Sequence, residues 1–278
     1  VIAIINGVYS DNAAVPVNDR GFTLGDGLFE TIPLHGGEPF LLDRHLSRLR
    51  DSAEIISLRI PFTDEDIANA ITNLAKRGGI PRGVARLTAT RGAGPRGYGI
   101  ADCDSPTWVV TVEPYEPMSQ VKWERGFALA NVTIRKNAAS PLSGVKSTSA
   151  LERVMILDEA KRAGADEALA LSTDGHIACG SAVNIFWVRD GRVETPSLDC
   201  GILPGVTRAF TLELAGREKL ETVEGRFPPS VLMEAQEVFV TNSLIGIVPV
   251  TRIDRRVISA GPGPVTRKLA EMYGGVSI

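Results

Sequence analysis

The stretch TRGAGPRGYG, residues 90–99, spells Gly92-x-Gly94-x-x-Gly97, the spacing of a dinucleotide-binding turn. Such a turn needs a strand before it and a helix opening from it, so that a pyrophosphate meets the helix N-terminus. The strand is present as VARLTAT (84–90), but the glycines lead through YGIADCDSPT into a second strand, TWVVTVE (107–113). Strand, loop and strand without a helix exclude a doubly wound nucleotide fold at this point. They predict a hairpin-like connection whose glycines supply positive φ. The loop carries Arg91, Arg96 and Tyr98, a set suited to a substrate carboxylate. A solvated surface loop is the alternative reading of the same residues.

Elsewhere strands and helices mix. A strand is predicted over 1–9 and a hairpin over 28–42, turning at His35-Gly36-Gly37. DRHLSRLRDSAEIISL (43–58) places Leu46, Leu49, Ala53 and Ile56 at helical spacing, with Asp43 as the cap. TDEDIANAITNLAKR (63–77) predicts a second helix, capped by Thr63 with Asp66 closing a capping box and stopped by Gly78-Gly79. The two prolines of PYEPMSQ (114–120) mark a boundary. An N-terminal α/β domain is expected over 1–114, a connector over 115–122 and a C-terminal α/β domain over 123–278. The second domain is expected to hold a strand at 127–134, a helix at 147–163 ending at Gly164 and strands at 167–172, 183–188 and 192–194. A helix at 206–220, a strand at 237–241 and a helix at 264–273 follow.

Composition removes several function classes. Of 278 residues 44% are hydrophobic and 23% charged, with a net charge of −3, so no strong field favours nucleic acid or an anionic membrane. No apolar run reaches membrane-spanning length. The opening residues, VIAIINGVYSDNAAV, lack a basic n-region, so no signal peptide is expected and the cytoplasm is the expected compartment. Cys103, Cys179 and Cys200 are too scattered for a disulfide framework or a zinc site, and His35, His45 and His176 lie too far apart to suggest a Ser-His-Asp arrangement.

Six collinear segments carry a family resemblance: DRGFTLGDGLFETI (19–32), LDRHLSRLRDSA (42–53), GVKSTSALERV (144–154), STDGHIACGSAVNIFWV (172–188), GILPGVTR (201–208) and EVFVTNSLIGIVPV (237–250). Together they resemble the fold-type IV (class IV) pyridoxal-phosphate enzymes: branched-chain aminotransferases, D-amino-acid aminotransferases and aminodeoxychorismate lyases. The resemblance implies a mixed α/β protein of two domains with the cofactor in the interdomain cleft, a homodimeric assembly and a small amine or amino-acid substrate. Lys146 would hold pyridoxal 5'-phosphate as a Schiff base and later move protons. Placed just before a predicted helix, its amine is expected to be kept neutral by the helix dipole. Arg48, Val206, Thr207 and Ser243 would bind the phosphate, the backbone of Val206 and Thr207 forming an anion site at a helix start. Thr31 matches a hydroxyl near the leaving group, and Asn242 is expected to face the substrate with Arg91, Arg96 and Tyr98.

One position departs from the family pattern. A glutamate that usually faces the pyridine nitrogen is replaced by Cys179. A local slip of the match, a reaction needing less electron withdrawal and an impaired enzyme are the three explanations. Within the family the glycine loop and Asn242-Ser243-Leu244 resemble the lyases. Leu151 stands where branched-chain aminotransferases usually carry a tyrosine, and Tyr98 where the D-amino-acid enzymes carry a histidine. The lyase reaction is therefore the expected activity, with transamination of D- or branched-chain amino acids as the alternative.

Overall fold

The computed structural model describes residues 2–276; Val1 of the expected first strand and the last two residues of the expected C-terminal domain lie outside it. The chain separates into two compact units, one of residues 1–116 with 145–150, the other of 117–144 with 151–278.

The first unit contains β1 (Ala3–Ile5), β2 (Val8–Ser10), α1 (Arg20–Leu24), β3 (Gly27–His35) and β4 (Glu38–Pro39). It continues with α2 (Leu42–Ile55), α3 (Asp64–Gly78), β5 (Arg82–Thr90) and β6 (Thr107–Pro114). Its six strands form one sheet in the order β2-β1-β6-β5-β3-β4, and β5 and β6 are antiparallel neighbours. The expected strand over 1–9 is broken at Asn6-Gly7, both at positive φ, into the hairpin β1–β2. Alternation places Leu28, Ile32 and Leu34 of β3, with Ala85, Leu87 and Ala89 of β5, in the core under α2 and α3. Phe29, Thr31, Arg86 and Thr88 therefore take the other face. Helix α3 starts as its sequence dictates: the Thr63 hydroxyl accepts from the Asp66 N–H while the Asp66 carboxylate accepts from the Thr63 N–H.

The second unit contains α4 (Gln120–Arg125), β7 (Phe127–Asn131), α5 (Leu151–Arg162), β8 (Glu167–Leu171), β9 (Ile177–Cys179) and β10 (Asn184–Arg189). Then come β11 (Arg192–Pro196), α6 (Val206–Arg217), β12 (Thr222–Gly225), β13 (Glu237–Asn242), β14 (Gly246–Ile253), β15 (Arg256–Val257) and α7 (Pro264–Val276). They build a nine-stranded mixed sheet around β10, β13 and β14. Its core includes Leu129, Ile185, Trp187, Val240 and Val248.

Further expectations change. Asp43 lies in the first turn of α2, whose cap is Leu41 at positive φ without a side-chain hydrogen bond. Helix α4 occupies part of the expected connector; the Ser119 side chain caps its first turn, a local signal that the prolines upstream obscured. The helix expected from residue 147 begins at Leu151, because residues 145–148 are drawn into backbone pairing with β3. The segment Val145–Ala150 therefore belongs to the first unit, although the connector places it after the boundary.

Candidate functional site

In the first unit, the site is built on the edge of β3. The Phe29 N–H donates to the Lys146 carbonyl at 3.0 Å, and the Thr148 N–H donates to the Gly27 carbonyl at 2.9 Å. Ser147 faces Leu28 across this antiparallel bridge. Alternation then sends Val145 into the core and Lys146 to the face carrying Phe29. The Lys146 Nζ lies 4.2 Å from the Phe29 ring centroid, and the Arg86 guanidinium carbon lies 3.9 Å from the same centroid. Thr31 is the cross-strand partner of Arg86. Lys146, Phe29, Thr31 and Arg86 thus share one sheet face: an amine, an aromatic surface, a hydroxyl and a fixed cation. The helix-dipole account of Lys146 fails, since α5 starts five residues later and the lysine rides on a strand edge.

Arg48 lies on the opposite side of β3. Its Nε and one terminal nitrogen donate to the two oxygens of Glu30 at 2.8 and 2.5 Å, and His45 Nδ1 lies 2.7 Å from the same carboxylate. Spacing of three residues on α2 puts His45 and Arg48 on one buried face, directly over Glu30. Burial would raise the Glu30 pKa, but the charge of Arg48 and the hydrogen bonds of His45 and Arg48 hold it at about 2.

The glycine loop has no helix. Gly92 and Gly97 adopt φ of +81° and +103°, as the punctuation requires. Arg91 does not face a ligand: its Nε donates to Asp26 at 2.8 Å and its terminal nitrogens to the Ser57 and Ile56 carbonyls at 2.7 and 2.8 Å. It is 5% exposed, and it anchors the loop to the end of α2. Arg20 shares Asp26 and reaches the Gly97 carbonyl at 2.9 Å. Burial alone would raise the Asp26 pKa; the hydrogen bonds and charges of Arg91 and Arg20 lower it. Arg96 and Tyr98 are exposed at the loop tip.

In the second unit, Cys179, Asn184 and Thr241 are successive cross-strand partners on β9, β10 and β13, so their side chains share a face. The loop before α6 covers that face at Asn184. The Asn184 amide donates to the Leu203 carbonyl at 3.1 Å, and a Cβ on Gly205 would stand 2.1 Å from Asn184 Oδ1. Gly205 caps α6 without a side-chain hydrogen bond, leaving the first-turn N–H groups of Val206 and Thr207 to other acceptors. The Thr207 hydroxyl contacts Tyr273, whose pKa burial raises and this contact lowers. Thr241 Oγ1 is buried with no hydrogen-bond partner. Asn242 holds the β13–β14 turn: its Oδ1 accepts from the Leu244 and Ile245 N–H groups, both at 2.9 Å, and its amide donates to the Ala182 carbonyl. Asn242 and Ser243 both stand half-buried at this turn. Cys179 is 5% exposed, and burial pushes its thiol pKa up.

Sequence reasoning missed Phe29, Arg86 and Lys136. Arg86 carried a usable signal, a charge at one polar position in the alternating strand VARLTAT. Lys136, 5% exposed and paired with Glu152, carried none, because its burial depends on the strands around it.

A model of the amino-transferase class IV family matches residues 27–253. A Methanocaldococcus jannaschii protein, provisionally named a branched-chain-amino-acid aminotransferase, is 35% identical over 97% of this chain and 94% of its own. An aminodeoxychorismate lyase of Bacillus subtilis is 33% identical over 97% of this chain and 92% of its own. Among solved structures, the branched-chain aminotransferase of the thermophilic archaeon Thermoproteus uzoniensis with norvaline superposes with a TM-score of 0.89 at 29% identity. The match covers 98% of this chain and 93% of that one.

Proposed function

Since the chain belongs to the class IV aminotransferase family, an enzyme family that works with pyridoxal 5'-phosphate, we propose that it is an aminodeoxychorismate lyase, releasing pyruvate and 4-aminobenzoate. The observation that carries this reading is the β3 face, where an amine, an aromatic ring and a cation stand together in Lys146, Phe29 and Arg86. That face suits a carboxylate-bearing cyclic diene amine, whose ring flattens as it becomes aromatic, better than a branched aliphatic side chain. The exposed Arg96 and Tyr98 add a second cation and a hydroxyl for a substrate with two carboxylates.

The residues fit the cofactor on two observations. The uncapped start of α6, tight against Asn184 at a glycine, is an anion cradle. The orphaned Thr241 hydroxyl under it is a buried polar atom awaiting a partner. Val206 and Thr207 would hold the phosphate through backbone N–H groups, with the Ser243 hydroxyl. Arg48 contributes less than the resemblance implies, because Glu30 already balances its charge. Lys146 would hold the aldehyde carbon. When bound, the cofactor supplies withdrawal of electrons from the carbon bearing the substrate amine.

The chain's own residues do the rest. Phe29 packs the substrate ring and Arg86 holds a carboxylate. Lys146 takes the proton from the ring carbon bearing nitrogen. The enolpyruvyl C–O bond breaks, the ring becomes aromatic, and the proton ends on the methylene of the departing group as pyruvate forms. Atoms balance without water or an oxidant. Thr31, the cross-strand partner of Arg86, would donate to the leaving oxygen.

Transamination is the second reading, supported by the Methanocaldococcus relative. The test is pyruvate release from enzymatically generated aminodeoxychorismate, with Lys146→Ala as control. Pyruvate formed by the wild type and lost in the variant supports the lyase. Cofactor-loaded protein that yields no pyruvate but forms oxo acid from a D- or branched-chain amino acid establishes the second reading instead. Arg86→Ala should raise KM for the lyase substrate about tenfold or more, the loss of one charge-assisted hydrogen bond.

A further inference from the structure

We infer that Arg20 is a positioning residue: its guanidinium fixes the tip of the glycine loop, so that Arg96 and Tyr98 are held in place for a substrate carboxylate. The inference deepens the reading above, in which the tip supplies a cation and a hydroxyl to the substrate, and rests on it. It also accounts for the spacing of the three glycines.

The backbone of Arg20 is fastened to the first limb of the loop. Asp19 and Ala93 form an antiparallel bridge, and the Arg20 N–H donates to the Gly92 carbonyl at 2.8 Å. The Asp19 carboxylate secures this crossing, accepting from the Gly21 N–H at 2.7 Å and from the Thr90 hydroxyl at 2.9 Å. From there the Arg20 side chain, 3% exposed, runs past Gly94. A Cβ on Gly94 would stand 2.9 Å from Arg20 Cδ and 2.8 Å from Cys103 Sγ. The guanidinium ends on Asp26, through Nε at 2.9 Å, and on the Gly97 carbonyl, through a terminal nitrogen at 2.9 Å. Gly92 thus makes room for the Ser105 carbonyl and Gly94 for the arginine stem, and Gly97 turns at positive φ where its carbonyl meets the guanidinium. The spacing records the path of an arginine rather than that of a pyrophosphate.

The anchored carbonyl lies between the two residues that matter. Arg96 precedes it and Tyr98 follows it, both exposed. The returning limb of the loop is tied separately, by Arg59 donating to the Asp104 carbonyl at 2.7 Å. A tip set among Gly94, Gly97 and Gly99 samples many conformers when nothing holds it, and a substrate that must order it loses affinity. A charged donor on the Gly97 carbonyl, itself held by Asp26, removes that cost before the substrate arrives. The anchor is continuous with the lysine segment. The carbonyls of Gly25 and Gly27, on either side of Asp26, accept from the Ser149 hydroxyl at 3.1 Å and from the Thr148 N–H at 2.9 Å. Arg20 therefore acts on carboxylate recognition, through Arg96 and Tyr98, and not on the amine of Lys146.

The experiment uses the holoprotein and three readouts. Trypsin cleavage of the Arg96–Gly97 bond reads the tip directly: Arg20→Ala should be cut about tenfold faster than wild type, with Arg20→Lys between them. In pyruvate release from aminodeoxychorismate, Arg20→Ala should raise KM about fivefold to tenfold and leave kcat within about twofold. Arg96→Ala should raise KM as well, and the double variant no further than Arg96→Ala alone. The rate at which hydroxylamine, which has no carboxylate, discharges the cofactor absorbance should be the same in wild type and Arg20→Ala. Equal trypsin rates overturn the inference. So do additive KM effects in the double variant, or a hydroxylamine rate that changes along with KM. If Arg20→Ala fails to fold, Arg20→Lys and Gly94→Ala, which displaces the arginine stem at unchanged charge, carry the same comparisons. A wild type that releases no pyruvate overturns the lyase reading alone, and the KM comparison then runs on the amino acid that yields an oxo acid.

Discussion

Glu30 has no exposed surface, yet it stays ionised because Arg48 and His45 converge on both of its oxygens. A carboxylate whose pKa falls on folding stabilises the fold above its unfolded pKa and loses that contribution as pH drops through the folded value. With the folded value at about 2 and an ordinary glutamate near about 4.3, the loss spans that acid window. The shift corresponds to roughly 3 kcal/mol. Urea melts between pH 5 and pH 2 should therefore show a slope that Glu30→Gln largely removes. At neutral pH the same variant should cost about 3 to 5 kcal/mol, because it leaves Arg48 buried without its counter-charge. An unchanged midpoint in Glu30→Gln would show that this pair is dispensable. None of this was visible from the arginine spacing on α2. Four arginines lie in or near that segment, and only the tertiary pairing of α2 with β3 distinguishes Arg48.

At the scale of elements, the glycine loop shows what spacing can and cannot convey. Its lack of a helix, and the strands on either side, were legible because Pro95 and the run after Gly97 have no helical period. The division of labour among its arginines was not. Arg91 turned inward to Asp26 and the end of α2, contacts far away in sequence, while Arg96 stayed outside. Substitutions separate the glycines too. A Cβ on Gly92 would stand 1.8 Å from the Ser105 carbonyl oxygen at positive φ, whereas Gly97 has open space around it. Gly92→Ala should lower stability by about 3 kcal/mol or more, combining strain with a backbone clash, and Gly97→Ala by about 1 kcal/mol. Thermal melts of the two variants make the comparison; equal losses would mean the loop simply relaxes. Helix α3 lay at the other extreme: both halves of its capping box are local, so its start was readable from Thr63 and Asp66 alone.

For the whole molecule, six separated segments identified the family because their order survives where single residues do not. The mixed α/β fold and the cofactor followed from them. The exact partners of each side chain did not, since strand pairing sets them. If Lys146 carries the cofactor, borohydride reduction of the holoprotein should fix one pyridoxyl phosphate on the peptide containing Lys146. Lys146→Ala should carry none there; a label on another lysine would remove Lys146 from its role. The chain's path also bears on how the protein is made and how it can be cut. Val145 fills the core of the first unit, and residues 146–148 line the edge of β3, yet they follow 28 residues of the second unit in the chain. A ribosome that has released residue 116 has not yet supplied the last piece of the first unit. That unit finishes only after synthesis has moved well into its neighbour. A gene divided at the apparent boundary would yield an N-terminal product lacking both the segment that pairs with β3 and Lys146, so the two units are not interchangeable modules.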